Sequence, residues 1–361
     1  MIDDNDDLRE LVAAAQNGDD AAFGRLVDRF RPELVLHGYR LLGRYDEAED
    51  AVQDTLVQAW RGISGFEGRA SVRSWLYRIA TNTCLARRAK DERRRRLLAA
   101  TTVRDGVAIP VPATVPWLQA VPQDAIEAVA QRDPHPDERL IGRESLEIAF
   151  VAALQHLTDR QCAVLVLRDV AGWPAEDVAG QLGTTASAVN ALLQRARRTM
   201  RTVLGPDRAE WRRSSPTGEE AALVRRYVEA VESGDDQAIA NLLAEDVLVS
   251  HQPHGGNAVP EVTWYQGRQT TVDAWAPALH GSMALDLRLV EFRVNNQPAV
   301  ATYGRLPGTT PHRAFSLTVL RTSGDRITEI VNLSPDQFPA LGLPMDLPAA
   351  AVAGNKGERT S

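Results

Sequence analysis

No apolar run in this chain approaches the ~20 residues that a helix needs to cross a bilayer, so a soluble protein with no membrane partner is expected. Cysteine is nearly missing: Cys84 and Cys162 are the only two, far apart, and neither has a Cys or His at metal-ligand spacing. Neither a disulfide framework nor a zinc site follows, and no motif calls for a cofactor. The opening residues, "MIDDNDDLRE", lack the basic-then-apolar order of a signal peptide, which points to a cytoplasmic protein. Net positive charge is also lacking, since the formal charge at pH 7 is −7. Taken as an average, that value argues against a nucleic-acid partner.

The average conceals where the cations are. Arg87 to Arg96 holds seven basic residues against two acidic ones, and Arg195 to Arg213 again holds seven against two. Basic patches in an acidic chain are the footprint of phosphate contact, because each neutralised phosphate releases counterions. Two solvated helix faces are the plain alternative. The composition, 44% hydrophobic and 25% charged, is that of a globular protein, and 361 residues exceed one ordinary domain. Two or three cores of ~100–150 residues are expected.

Residues 8–98 read as helices almost throughout. Phe23, Leu26, Val27, Phe30 and Leu34 recur at helical spacing, and "NGDD" before them supplies a helix start. Residues 99–137 form a Pro-rich linker, "VAIPVPATVPWLQAVPQD" and then "RDPHPDE", in which repeated proline removes donors and disfavours helix. A second helical block covers 138–206, and a polar hinge covers 207–217. The third domain, 218–345, opens on a helix and continues in short β-prone runs, "PAVATYGR", "AFSLTVLRT" and "RITEIVNL". It reads as α+β with an antiparallel sheet, and 346–361 reads as a flexible tail. "ESGDDQAIANLL" echoes "QNGDDAAFGRLV", but the match covers one helix start, so shared capping chemistry explains it better than a repeat.

Within the second block, "GWPAEDVAGQLGTTASAVNALLQRARRTM" has apolar Val178 and Leu182, a turn glycine at Gly183, and a second helix with Val189, Leu193 and Ala196 facing inward. This is a helix-turn-helix pattern. The spacing leaves Ser187, Asn190, Ala191, Gln194 and Arg198 on the outer face, where short and amide side chains reach base edges; Arg195 and Arg197 approach phosphates. A helical hairpin without a DNA role is the alternative, and the arginines of the second helix weigh against it.

The order "AEDAVQDTLVQAW", "FEGRASVRSWLYRIATNTCL" and then "LTDRQCAVLVLRDVAGWPAEDVAGQLGTTASAVNALLQRAR" resembles an extracytoplasmic-function (ECF) sigma factor of bacterial RNA polymerase. The last domain, with "TWYQGR", "NNQPAVATY" and "GDRITEI", resembles the SnoaL-like, NTF2-like extension that some of these factors carry. The resemblance implies a multidomain fold: two all-α sigma domains, the second a helix-turn-helix, followed by an α+β NTF2-like cone. It implies two partners, RNA polymerase core and promoter DNA.

By the same resemblance, the helix around Asp46–Trp60 docks on the β′ clamp helices of the core, a basic coiled coil. Glu47, Glu49, Asp50 and Asp54 would face it, while Val52, Leu56 and Trp60 form a core stripe. The stretch after it would hold the melted −10 element: the loop from Gly62 to Ser71 takes an extruded base, with Arg69, Ser71, Arg73, Arg78, Asn82, Arg87 and Arg88 near DNA. Trp75 and Tyr77 pack inside or stack on bases. The −35 duplex would be read by Ser187, Asn190, Ala191, Gln194, Arg195 and Arg198.

The NTF2-like cone also invites an enzymatic reading, because such cones can house acid–base chemistry in an apolar pocket. Tyr227, His251, Trp264, Tyr265, Trp275 and Tyr303 are candidate pocket residues, with His254 and His312 beside them. The His-x-x-His of "SHQPHGG" has no evident third ligand, so no metal is assigned. No catalytic acid has a recognisable partner, and related domains carry an apolar "MPP" where this chain has "SHQP". A regulatory domain open to a small-molecule ligand is expected, and no enzyme. Two alternatives stay open: a ligand-responsive helix-turn-helix regulator independent of polymerase, and an enzyme residing in the third domain.

Overall fold

The computed structural model describes residues 4–99, 103–104, 107–132, 145–204, 218–256, 261–281 and 284–347. The chain divides into two compact units. The first takes the described residues before 101, from 124 to 146 and from 150 to 210; the second takes 101–123, 147–149 and the chain after 210. The hinge expected at 207–217 lies outside the described residues.

The first unit is all helix. α1 (Asp4–Gln16), α2 (Asp20–Asp28), α3 (Arg31–Leu42), α4 (Tyr45–Gly62), α5 (Val72–Lys90) and α6 (Glu92–Ala99) make its first part. The expected stripe from Phe23 to Leu34 is divided between α2 and α3, because Pro32 sits in the first turn of a new helix, where its missing donor costs nothing. Asp19 caps α2 by accepting from the Ala22 amide at 2.9 Å, and Ser71 caps α5 from the Ser74 amide at 3.1 Å. Gly43, at φ 74°, ends α3 in the left-handed conformation. The core between these helices holds Leu26, Leu34, Leu41, Ala48, Ala51, Val52 and Leu76, all buried.

The second part holds α8 (Ile148–Gln155), α9 (Asp159–Leu165), α10 (Ala175–Leu182) and α11 (Ala186–Leu204). A capping box of Thr158 and Gln161 starts α9, a π turn over Val166–Val170 ends it, and Gly183 at φ 60° makes the turn between α10 and α11. The helix-turn-helix stands where the sequence placed it.

The linker departs from the expectation. Its last part, 123–132, is a helix, α7 (Gln123–Arg132), before the prolines of "RDPHPDE", and Val103–Arg104 (β1) pairs with Val107–Ala108 (β2). Residues 101–123 belong to the second unit. Val111, Val115, Trp117, Leu118 and Val121 are buried there. Proline leaves carbonyls unpaired, and side chains of the third domain meet them. Gln252 Nε2 donates to Pro112 O (2.7 Å) and Val115 O (3.0 Å), and Gln337 Nε2 to Leu118 O (3.3 Å). Asn295 Oδ1 accepts from the Val121 amide at 2.8 Å.

The rest of the second unit is α12 (Gly218–Ser233), α13 (Asp236–Leu242) and α14 (Arg268–Leu279) against one sheet. Its strands are β3 (Leu243–His251), β4 (Thr263–Gln266), β5 (Asp286–Val294), β6 (Gln297–Arg305), β7 (His312–Ser323), β8 (Arg326–Leu333) and β9 (Asp346–Leu347). The order is β4-β3-β8-β7-β6-β5, with β9 on β7. β3 and β8 are parallel, so the sheet is mixed and not wholly antiparallel. The two strands are joined by most of the domain, long enough a crossover to bring them round in the same direction. β9 corrects the tail: Asp346 and Leu347 pair with Arg313 and His312, and 348–361 lie outside the described residues. Asn295 and Asn296, at φ 55° and 58°, turn β5 into β6. The helix-facing side of the sheet closes on Leu223, Val224, Tyr227 and Val231 of α12 with Val249, Val300, Leu320 and Ile330. Among the described residues no helix is long and apolar enough to cross a membrane.

Candidate nucleic-acid interface

α11 separates its faces as its spacing demands. Val189, Leu193, Ala196 and Met200 are buried, while Ser187, Asn190, Ala191, Gln194, Arg195 and Arg198 are all exposed. The exposed set holds two amides and two cations, the side-chain types that in general reach base edges and phosphates. Arg197 is committed elsewhere, in a bidentate pair with Asp169 at 2.7 and 2.9 Å that ties α11 to the π turn.

On α4, Ala48, Ala51, Val52, Thr55 and Ala59 are buried, and Trp60 lies 5.0 Å from the Phe23 ring. Glu49, Asp50 and Asp54 stand on the exposed side and Glu47 is half-buried. Two of the four carboxylates have cations of their own: Asp54 pairs with Arg87, and Glu47 with Arg44 and Arg93. Exposed Val57 lies among them. The face is acidic with an apolar centre.

The α4–α5 connection is a short 3-10 turn, Ile63–Gly65, and an exposed loop, held from below by Gln16 Nε2, which donates to Phe66 O at 2.7 Å. Arg69, Arg73, Arg78 and Asn82 are exposed, as is Ser71, whose hydroxyl serves α5 as its cap. Trp75 and Tyr77 are buried, Trp75 against Phe66 at 5.2 Å. Arg73 is not free: it donates to both oxygens of Glu33, at 2.7–3.0 Å, and Tyr77 donates to Glu33 at 3.2 Å. Burial works against the charge of Arg73, and the Glu33 carboxylate more than offsets it, so its pKa lies above the ordinary value.

Arg88 corrects the expectation. Its side chain is 0% exposed and donates to Leu41 O, Gln155 Oε1, Leu157 O and Asp159 Oδ1, so in this arrangement it touches no DNA. Arg94 is buried too, donating to Leu42 O and Gln155 Oε1. The run "KDERRRR" therefore faces two ways. A signal for Arg88 exists: it follows Leu76, Ala80 and Cys84 at four-residue steps, all buried. Glu33, Gln155 and Trp173, whose ring lies 5.7 Å from Tyr77, left no comparable mark in the sequence.

In the second unit, four of the six cone candidates come together. His251 Nδ1 lies 2.8 Å from Gly255 O and must donate to it, which leaves Nε2 to accept from the Tyr265 hydroxyl at 3.0 Å. Trp275 Nε1 donates to the same hydroxyl at 2.7 Å, and the Tyr227 and Trp275 rings are 6.4 Å apart. Burial lowers the His251 pKa and raises that of Tyr265 to about 12, so both are neutral near pH 7. Trp264 and Tyr303 are corrections. Trp264 pairs with Ser250 while Tyr265 pairs with core Val249, so alternation puts Trp264 on the opposite face. Tyr303 alternates with Thr302, whose partner Leu289 packs on the core, and its own ring meets Phe338 at 5.2 Å. His254 is exposed and His312 lies 3.3 Å from Asp286. Among the described residues no group of three or more His, Cys, Asp or Glu is placed to hold a metal ion.

Three family models match the chain: Sigma-70 region 2 over residues 26–95, Sigma-70, region 4 over 147–200, and the SnoaL-like domain over 224–330. The ECF RNA polymerase sigma factor SigG of Mycobacterium tuberculosis is 39% identical over 332 residues, covering 90% of this chain and 85% of that one. The chain belongs to the ECF RNA polymerase sigma factor family. A second such sigma factor, SigM of M. tuberculosis, is 32% identical over 197 residues, 54% of this chain and 84% of its own. The crystal structure of the ECF sigma factor SigJ of M. tuberculosis has the same fold, with a TM-score of 0.54 at 22% identity over 88% of this chain and 97% of that one. This sigma factor thus directs RNA polymerase to specific promoters and initiates transcription there, with polymerase core and promoter DNA as its partners.

Proposed function

We propose that the acidic face of α4, centred on Glu49, Asp50, Asp54 and Val57, docks on the basic clamp helices of the polymerase β′ subunit, in the cytoplasm. The loop after α4, with Asn82 and exposed Arg69, Arg73 and Arg78, then holds the melted −10 strand, and α11 reads the −35 duplex. The working domains are 8–98 and 138–206, and 218–347 with the docked linker forms a regulatory module without catalysis of its own. One observation carries this reading: every residue assigned to −35 recognition is exposed, while Val189, Leu193 and Ala196 between them form the buried stripe of α11.

The test is transcription from promoter variants. Asn190→Ala or Gln194→Ala is expected to lose ~1–3 kcal/mol of discrimination at one −35 position if it makes a bidentate base contact, with core binding spared. Both variants transcribing every promoter as the wild type does would overturn the assignment of that face.

A ligand for the cone is a second reading, favoured by the Trp275–Tyr265–His251 chain of hydrogen bonds on the helix-facing side of the sheet. The fixed tautomer and neutral groups suit an uncharged ligand better than an anion. Acid–base catalysis has less support, since the relay ends on a backbone carbonyl and not on a second titratable group.

A further inference from the structure

The first turns of α3 and α5 meet at one carboxylate. Glu33 of α3 accepts at Oε1 and Oε2 from Arg73 Nε (3.0 and 2.9 Å) and at Oε2 from Arg73 Nη2 (2.7 Å). The Tyr77 hydroxyl donates to the same Oε2 at 3.2 Å. Arg73 and Tyr77 are one helical turn apart, and the Arg73 Cζ lies 5.2 Å from the Tyr77 ring centroid, within cation–π range. On the other side of the ring His37 is buried, 4.8 Å from Tyr77, with Nε2 2.9 Å from the Thr81 hydroxyl. The guanidinium therefore rests on a packed and hydrogen-bonded base that fixes its plane.

Exposure is graded outward, since the side chain of Glu33 is 18% exposed and that of Arg73 48%. Glu33 takes the Nε–H and one Nη2–H, which leaves both hydrogens of Nη1 and the second of Nη2 as another planar fork. Among the described residues the Nη1 end makes no hydrogen bond. Its geometry is set before any partner arrives, so little rotamer freedom is lost on contact.

Charge decides what that fork meets. Phosphates are drawn to net positive charge and release counterions when neutralised, but Arg73 already has its carboxylate, and a phosphate beside it would also face Glu33. Arg78 is the contrast, exposed and without an ion pair among the described residues. An uncharged partner with two adjacent acceptors suits the Arg73 fork. Guanine offers O6 with N7, and unpaired cytosine offers O2 with N3, whereas adenine and thymine set a donor beside their acceptors. We propose that Glu33 is a specificity-determining residue of the −10 contact: it neutralises Arg73 and aims the outer fork at a guanine or cytosine, while Arg78 anchors phosphate. The proposal rests on the reading of this surface as the one that holds the melted −10 strand.

The test uses the full chain bound to polymerase core, on fork-junction templates whose −10 strand is unpaired and carries each of the bases in turn at each −10 position, so that guanine and cytosine are scored apart. At one position wild-type holoenzyme is expected to bind guanine or cytosine about tenfold more tightly than adenine or thymine. Glu33→Gln keeps the size and an acceptor but removes the charge. It is expected to lose most of that preference, to bind every template more tightly, and to steepen the slope of log affinity against log salt by about 0.7. Glu33→Asp, which keeps the charge, is expected to keep the wild-type slope. Arg78→Gln is expected to do the reverse of Glu33→Gln, with weaker binding to every template, a shallower slope and the preference intact. Arg73→Lys, at an exposed site, keeps a cation without the fork and is expected to lose the preference; it serves if Glu33→Gln loses its helical circular dichroism. The proposal is overturned if folded Glu33→Gln matches the wild type in preference and slope, if Arg73→Lys retains the preference, or if the wild type discriminates among −10 bases but nowhere favours guanine or cytosine. Wild-type holoenzyme indifferent to every −10 base would count against the underlying reading instead.

Discussion

His37 lies wholly buried on α3, with Nε2 2.9 Å from the Thr81 hydroxyl and its ring 4.8 Å from that of Tyr77. Burial, helped by the charges of Arg40 and Arg73, lowers its pKa from 6.5 to about 3. Below pH 6.5 the unfolded chain takes up a proton that the folded imidazole refuses, so stability falls as pH falls, until the folded value is passed. The slope is at most about 1.4 kcal/mol per pH unit. Denaturant midpoints of the first unit at pH 7 and pH 5 should differ clearly in the wild type and less in His37→Gln, whose amide can keep a bond to Thr81. Equal pH dependence in the two chains would mean that His37 is not the group responsible. At this scale the sequence was uneven. The α11 face was legible because six exposed positions and their buried neighbours obey one period. Arg88 was not, because a run of arginines reads as solvated until the four-residue step from Leu76 is followed to its end, and Trp264 needed a strand register that no periodicity supplies.

Among the elements, α4 carries the clearest prediction. Its exposed carboxylates contribute little to stability, because surface ion pairs such as Asp54–Arg87 are worth ~0–1 kcal/mol. Reversing Asp50 and Asp54 to lysine should therefore leave the helical circular dichroism intact while weakening core polymerase binding about tenfold or more at low salt. Unchanged core affinity in a folded variant would remove α4 from the interface. The linker shows what proline content says and omits. Repeated proline leads one to expect irregular chain there, yet Val111–Thr114 forms a 3-10 turn, and Val111, Val115, Trp117, Leu118 and Val121 are too apolar for a solvated spacer and are buried. The hydrogen-bond partners of the segment's backbone, Gln252, Asn295 and Gln337, lie more than a hundred residues away in sequence. Nothing local could name them.

For the whole molecule, the order of domains was legible because each block carries its own period: helical stripes, then a turn glycine between two helices, then alternating strands. The parallel pairing of β3 with β8 was not, since it depends on how the third domain closes on itself. Above all, this chain confers promoter choice on polymerase. That is checked by run-off transcription with purified core polymerase and a library of promoters randomised at the −10 and −35 positions. Transcripts are expected only when the full chain is added, and only from templates sharing defined bases at both elements. Transcripts from none of the templates, or from all of them alike, would contradict it.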